Sequence, residues 1–283
     1  MSRAASPAFF MRRAVGRLAI LVVLVATLAA IIVPLFWTVG ISLKSYAEAA
    51  KDLSNPFPKS LNFSNYLDVF TKIPFFRYFL NTVSITAACC AGTLVTSSMA
   101  AYAFARLKFP GRDLLFLVYL ATLMVPRQVT LIPNFILFRM AGLIDSPLSL
   151  ILTGIFTAYG TFLLRQFFLG IPTELEEAAV IDGYGYGRRF VQIIIPLAKP
   201  ALTTLFIVTL LASWNEYLYA LVFINTDSHR TLTLGLAILR GDFDVQWNLV
   251  MAATILAILP LAVTYLFLQR FFVEGIALSG IKG

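Results

Sequence analysis

Charge is scarce in this sequence. Asp, Glu, Lys and Arg make up 13% of 283 residues, against roughly 25% in a soluble domain. So few charges cannot solvate a globular surface, and 59% hydrophobic residues cannot be hidden in one soluble core of this length. Lipid must be the solvent for much of the chain. Histidine is almost missing, with His229 alone. The two cysteines, Cys89 and Cys90, are adjacent inside an apolar run. Neighbours on a helix point in different directions, so they read as small core residues rather than a disulfide or a metal site. No phosphate-cradling loop occurs either. Gly275 and Gly280 have its glycine spacing, but Ile281 stands where lysine is required. ATP hydrolysis is therefore not expected on this chain, nor is any cofactor or metal. There is no cluster of catalytic residues, no heptad repeat, no low-complexity tract and no separate soluble domain. The ~10-residue alternation of a membrane barrel is absent as well.

What is present is a set of long uncharged runs. None of the residues between Arg17 and Lys44, Arg77 and Arg106, Asp145 and Arg165, or Asp244 and Arg270 is charged. Each run approaches or exceeds the ~20 residues needed to cross a ~30 Å hydrocarbon core. Two further runs are interrupted, one by Pro126, Arg127 and Pro133, the other by Trp214-Asn215-Glu216. The pattern predicts an all-α integral membrane protein with crossings near 18–43, 78–105, 114–138, 146–168, 200–225 and 246–269, in one transmembrane domain. The first run is too long for the ~7–15-residue core of a secretory signal, so it is expected to stay as a helix.

The net charge of +8 invites a nucleic-acid reading, but its placement argues for topology instead. With the N-terminus cytoplasmic, the inner segments hold thirteen basic and six acidic residues, and the outer segments nine and eight. Lys and Arg counts set orientation. Both termini are therefore expected in the cytoplasm, and no nucleic-acid partner is expected.

The most informative segment is the cytoplasmic stretch 172–199. Pro172 suits a first helical position, and Thr173 with Glu176 three residues on makes an alternative capping box. Glu174, Glu176 and Glu177 sit where the helix dipole favours acids. Leu175, Ala178, Ala179 and Asp182 share a face by spacing. Gly183 accepts a left-handed cap. Arg188 to Ile195 is predicted as a second short helix stopped by Pro196. Such a helix–turn–helix either rests on lipid as an amphipathic surface element or docks a cytoplasmic partner. Three acids suit a partner better than an anionic leaflet.

Glu177-Ala178-Ala179, Asp182-Gly183, Phe190, Ile193, Pro196 and Pro200 resemble the EAA loop of binding-protein-dependent ABC importer permeases. The sequence is similar to the carbohydrate, maltose-type branch at Ala101-Tyr102-Ala103-Phe104-Ala105-Arg106, at Trp214-Asn215-Glu216-Tyr217 and from Phe272 to Gly283. The ending resembles the second of the two paired permeases. Tyr184 departs from the family, which usually has alanine there. The resemblance implies a bacterial inner-membrane importer assembled from this permease, a second permease, two ATPase copies carrying ATP and Mg, and an extracytoplasmic solute-binding protein. It also implies that Glu177, Ala178, Ala179, Asp182 and Gly183 couple to the ATPase.

Polar residues at membrane depth are costly and face a cavity or a partner. Glu216 with Trp214, Asn215 and Tyr217 offers rings and hydrogen-bonding groups suited to a sugar, or alternatively helix packing and interfacial anchoring. Asn81 and Asn134 are further candidates for the path, while Arg127 and Arg139 are read as the outer rim of the third crossing. The rival reading is a secondary transporter driven by an ion gradient. It needs an intramembrane carboxylate, and only Glu216 qualifies.

Overall fold

The computed structural model describes residues 7–241 and 245–280. Arg3 and the terminal Ile281-Lys282-Gly283 lie outside the described residues, as does 242–244. Among the described residues there are helices and no strands. In chain order they are α1 (Pro7–Ser42), α2 (Tyr46–Lys51), α3 (Ser64–Lys72), α4 (Phe75–Arg106), α5 (Arg112–Ala121), α6 (Leu131–Met140), α7 (Pro147–Gly154) and α8 (Ala158–Leu169). There follow α9 (Glu174–Ile181), α10 (Tyr186–Arg189), α11 (Ile195–Leu197), α12 (Lys199–Trp214), α13 (Leu218–Phe223), α14 (Leu232–Arg240) and α15 (Trp247–Gly280).

Four helical stretches among the described residues are long and apolar enough to cross a membrane: Gly16–Ser42, Phe75–Arg106, Pro147–Leu169 and Trp247–Phe267. The other two expected crossings are discontinuous. The third is split into α5, a 3-10 turn at Thr122–Met124 and α6, with Pro126 in the gap. The fifth is α12 continued by α13 after a break at Asn215–Tyr217. The fourth has an interruption at 155–157 that the hydropathy pattern did not announce. Pro260 leaves α15 continuous.

The described residues fall into two compact units. The smaller takes the chain up to Lys72 with Leu239–Leu256. Its α1 is exposed on every face from Ile20 to Phe36, as expected of a helix whose solvent is lipid. Beyond α1, Asn65 is buried and ties the chain together. Its Nδ2 donates to the carbonyls of Ser42 (2.7 Å) and Lys44 (2.8 Å), and its Oδ1 accepts from Asn248 Nδ2 (2.9 Å). Gly40 lies against Pro56, whose carbonyl oxygen would stand 1.9 Å from any Cβ there.

The larger unit comprises Ile73–Ile238 with the chain after Ala257, and α4 is its spine. Small residues let α7, α8 and α12 close on it. A Cβ on Gly92 would meet Ile155 at 2.4 Å, and one on Gly160 would meet Ser97 Oγ at 2.6 Å. The break between α7 and α8 frees carbonyls in an apolar setting, and α4 supplies their donors. Thr93 Oγ1 donates to Gly154 (3.1 Å) and Thr96 Oγ1 to Ile155 (2.6 Å). This is how a broken helix is tolerated at membrane depth. The polar stretch between the fifth and sixth expected crossings contains α14. Thr82 Oγ1 accepts from Leu232 N at 2.8 Å, and Gly235 lets Tyr78 approach.

Candidate coupling site and central cavity

The segment 172–199 forms a helical hairpin. α9 starts at Glu174, and Thr173 makes no side-chain cap bond, so the capping box does not form. Glu176 turns inward instead. Its carboxylate is 8% exposed and lies 2.9 Å from Arg106 Nε and 3.8 Å from Arg189 Nη1, while Tyr102 OH donates to it at 3.2 Å. Ala179 is buried on the same side. The expected shared face therefore divides. Leu175, Ala178 and Asp182 are exposed together with Glu177 and Ile181, and Ala179 packs within the chain. Spacing gave the helix but not its rotation, which the buried Glu176 sets.

Gly183 ends α9 with φ +79°. The N–H of Tyr184 reaches the carbonyl of Ala179 (2.8 Å), and that of Gly183 the carbonyl of Val180 (3.0 Å), the hydrogen-bond pair of a left-handed helix stop. Tyr184, the departure from the family pattern, lies under the Arg188 guanidinium at 3.9 Å. The second helix differs from expectation. It begins at Tyr186, passes through a π turn at Phe190–Ile194 and continues past Pro196 to Leu197. Pro196 opens the short turn of α11, where its missing N–H costs little. The chain then bends by 78° into α12.

A second feature lies toward the other end of α4. A cavity of about 70 Å³ is lined by Thr82, Ile85, Cys89, Arg127, Thr209, Ser213 and Glu216, among others. Of the six residues named for a path, Glu216 lines it directly. Its Oε2 is 3.4 Å from Arg127 Nη1, and its Oε1 accepts from Tyr219 N at the start of α13 (3.0 Å). Asn134 reaches the same network through Tyr219 OH at 3.3 Å. Asn81 is placed elsewhere, donating to the Ser228 and Arg230 carbonyls of the loop between α13 and α14. Trp214 is buried edge-on against Phe79 at 6.1 Å. Asn215 donates back to Leu211, and Tyr217 is exposed. Arg127, read as rim, belongs to the cavity wall. The missed residues are Arg127, Tyr219 and Glu176 with Arg106. Their signal was available: Arg106 ends an apolar run and Arg127 interrupts one, and a charge in either place demands a partner.

Beyond the apolar spans, Asp145 (φ +62°) fastens the loop that follows α13. It accepts from Thr226 Oγ1 and from the N–H groups of Asn225 and Thr226, both at 2.9 Å. The Thr226 hydroxyl, ahead of its amide, holds the Asp145 carboxyl down at about 2.

The family model described as "Binding-protein-dependent transport system inner membrane component" matches residues 92–277. The chain belongs to that family. The sequence is 34% identical over 227 residues to an arabinooligosaccharides transport system permease protein of Halalkalibacterium halodurans, covering 80% of this chain and 81% of the relative. It is 38% identical over 205 residues to an sn-glycerol-3-phosphate transport system permease protein of Yersinia pestis, covering 72% and 73%. The fold matches the crystal structure of a bacterial ABC transporter involved in alginate import, with TM-score 0.81 at 23% identity over 96% of this chain and all of that one. The protein is thus a transmembrane permease of an ATP-driven importer, and the ion-gradient alternative is set aside. Its family is one of transport-system membrane components.

Proposed function

We propose that this chain is one of two paired permeases in a bacterial inner-membrane importer for a carbohydrate or polyol-like solute. The second permease, two ATPase copies holding ATP and Mg, and an extracytoplasmic solute-binding protein complete the machine. Support for the solute class comes from the arabinooligosaccharide relative and from the hydroxyl-rich cavity with its Glu216–Arg127 pair. Glu216 and Asn134 belong to the translocation path. Asn81, Trp214, Asn215 and Tyr217 shape its surroundings. Both termini and the hairpin 172–199 are cytoplasmic, and six crossings span the membrane, with lipid around them.

The observation that carries the coupling role is the outward face of α9. Glu177, Ala178 and Ile181 are exposed beside a tight turn at Gly183, and Ile181 is 87% exposed. Ala178 and Ile181, flanked by the exposed acids Glu174, Glu177 and Asp182, form a docking surface for the ATPase. Closure of the ATPase dimer on ATP draws the two permease hairpins together, and the cavity alternates between the two sides. The test is co-purification of the ATPase from membranes carrying Ala178→Trp or Glu177→Lys. Both variants should reach the membrane and lose the ATPase on detergent extraction, while the lipid-facing Val25→Leu keeps it. Retention of the ATPase and of transport by both variants would refute the coupling role.

A further inference from the structure

Arg106 ends the uncharged run that begins after Arg77, and its side chain is only 9% exposed. A cation buried at the end of a membrane helix requires compensation. It finds two kinds. Arg106 Nη2 donates to the carbonyls of Phe168 (2.7 Å), in the last turn of α8, and Ile171 (2.5 Å), just past its end. Its Nε faces the Glu176 carboxylate at 2.9 Å. Tyr102, one turn earlier on α4, donates to the other carboxylate oxygen, and Arg189 of α10 approaches that oxygen at 3.8 Å. One buried carboxylate therefore joins the end of α4 to the start of α9 and the last residue of α10, and through Arg106 to the end of α8.

The covalent route from the hairpin inward is of another kind. It runs through the π turn at Phe190–Ile194 and the 78° bend before Lys199. Shifted hydrogen bonds and a sharp bend make a hinge, and a hinge absorbs displacement. By contrast, α4 is unbroken over 32 residues. It carries Tyr102 and Arg106 at one end and Thr82, Ile85 and Cys89 on the cavity wall. Tyr102 and Ile85 are about 25 Å apart along the axis at 1.5 Å per residue.

We propose that the Glu176–Arg106 pair is the joint that passes movement of the hairpin to α4 and so to the cavity wall, with Tyr102 and Arg189 positioning the carboxylate. The proposal rests on the coupling role of 172–199. Glu176 acts here as a positioning residue. It does not meet the ATPase, which binds the opposite face of α9.

The test uses the intact importer with Cys89 and Cys90 replaced by alanine and Thr209→Cys placed in the cavity wall. A maleimide reports wall accessibility with and without ATP. In the otherwise unaltered complex ATP should change the labelling rate by about 5–150-fold, the usual range of coupling between sites. Glu176→Gln should keep the ATPase bound and hydrolysing while the ATP effect on labelling falls toward one. Glu176→Asp, which retains the charge, should recover part of it. A normal ATP effect in Glu176→Gln would overturn the joint, as would the absence of any ATP effect before Glu176 is changed. Loss of the ATPase from Glu176→Gln would also overturn it, because the carboxylate would then serve only to fold the hairpin. Failure of the coupling role itself reads differently: Glu177→Lys would keep the ATPase whatever Glu176 does.

Discussion

Two alanines in succession, Ala178 and Ala179, have opposite environments, and this separates docking from folding at the scale of single residues. Ala178 is exposed and Ala179 is 6% exposed. Tryptophan at 179 must be accommodated inside the subunit, and overpacking of that kind costs ~1–3 kcal/mol. Ala179→Trp is therefore expected to lower the melting temperature of the purified permease on its own, whereas Ala178→Trp should leave it unchanged and act only when the ATPase is present. Equal melting temperatures would show that Ala179 is not packed as described. Gly183 gives a purer backbone test. A Cβ there would meet nothing within 4 Å, so any penalty comes from φ +79° alone, roughly 1–2 kcal/mol for an ordinary L-residue. Gly183→Val should impair transport at normal membrane levels, and Gly183→Asn should impair it less, because asparagine tolerates the left-handed region. Identical transport by the two variants would remove the left-handed requirement.

At the scale of elements, the long uncharged runs were legible as helices because lipid imposes length and apolarity together. The breaks were legible only where proline or a charge marked them. The interruption at 155–157 carries neither mark; it exists because Thr93 and Thr96 on α4 satisfy the freed carbonyls, a partnership that no local pattern records. The rotation of α9 was hidden for the same reason, since it depends on Arg106 some seventy residues earlier. Of the site, Glu216 stood out as an isolated acid, while Arg127 was assigned to the rim because its partner lies in another broken crossing. α8 offers a direct check on packing. Gly160→Val would thrust a side chain toward Ser97 Oγ and Leu205 Cδ1, 2.6 and 3.0 Å from its Cβ. We expect lower thermal stability in detergent, by ~1–3 kcal/mol, while Gly185→Val, with open space around it, should not change it. The outer loop offers a pH test. The Asp145 carboxyl is held down at about 2 from an ordinary 3.8. A depressed carboxylate contributes its stabilisation in full above the unfolded value and loses it as pH falls through the folded one. Protection of 225–231 from an acid-active protease should therefore hold at pH 5 and fade between about 4 and 2. Asp145→Asn should abolish that dependence; a loop that loosens near pH 6 would contradict it.

For the whole molecule, orientation decides whether the hairpin can meet an ATPase at all. The argument is one of charge. Thirteen basic and six acidic residues fall on the side that holds 172–199, and nine and eight on the other. The bias of Lys and Arg toward the cytoplasm is strongest near the ends of the crossings, and Arg17, Arg106, Arg165 and Lys199 occupy such places. The opposite orientation would put the acidic α9 outside, beyond the reach of ATP. Two positions test this without disturbing the fold. Tyr184 is half-buried at the tip of the hairpin, and Ser60 is exposed in the segment between α2 and α3. In a background lacking Cys89 and Cys90, Ser60→Cys should react with a membrane-impermeant maleimide in intact cells. Tyr184→Cys should react only after the cells are opened. Replacing Tyr184 removes its stack under Arg188, so Gly185→Cys, in open space, serves as a second reporter for the same side. Labelling of both hairpin positions in intact cells, with Ser60→Cys protected, would reverse the topology. It would also remove the coupling role, because the exposed face of α9 would then have no ATPase to meet.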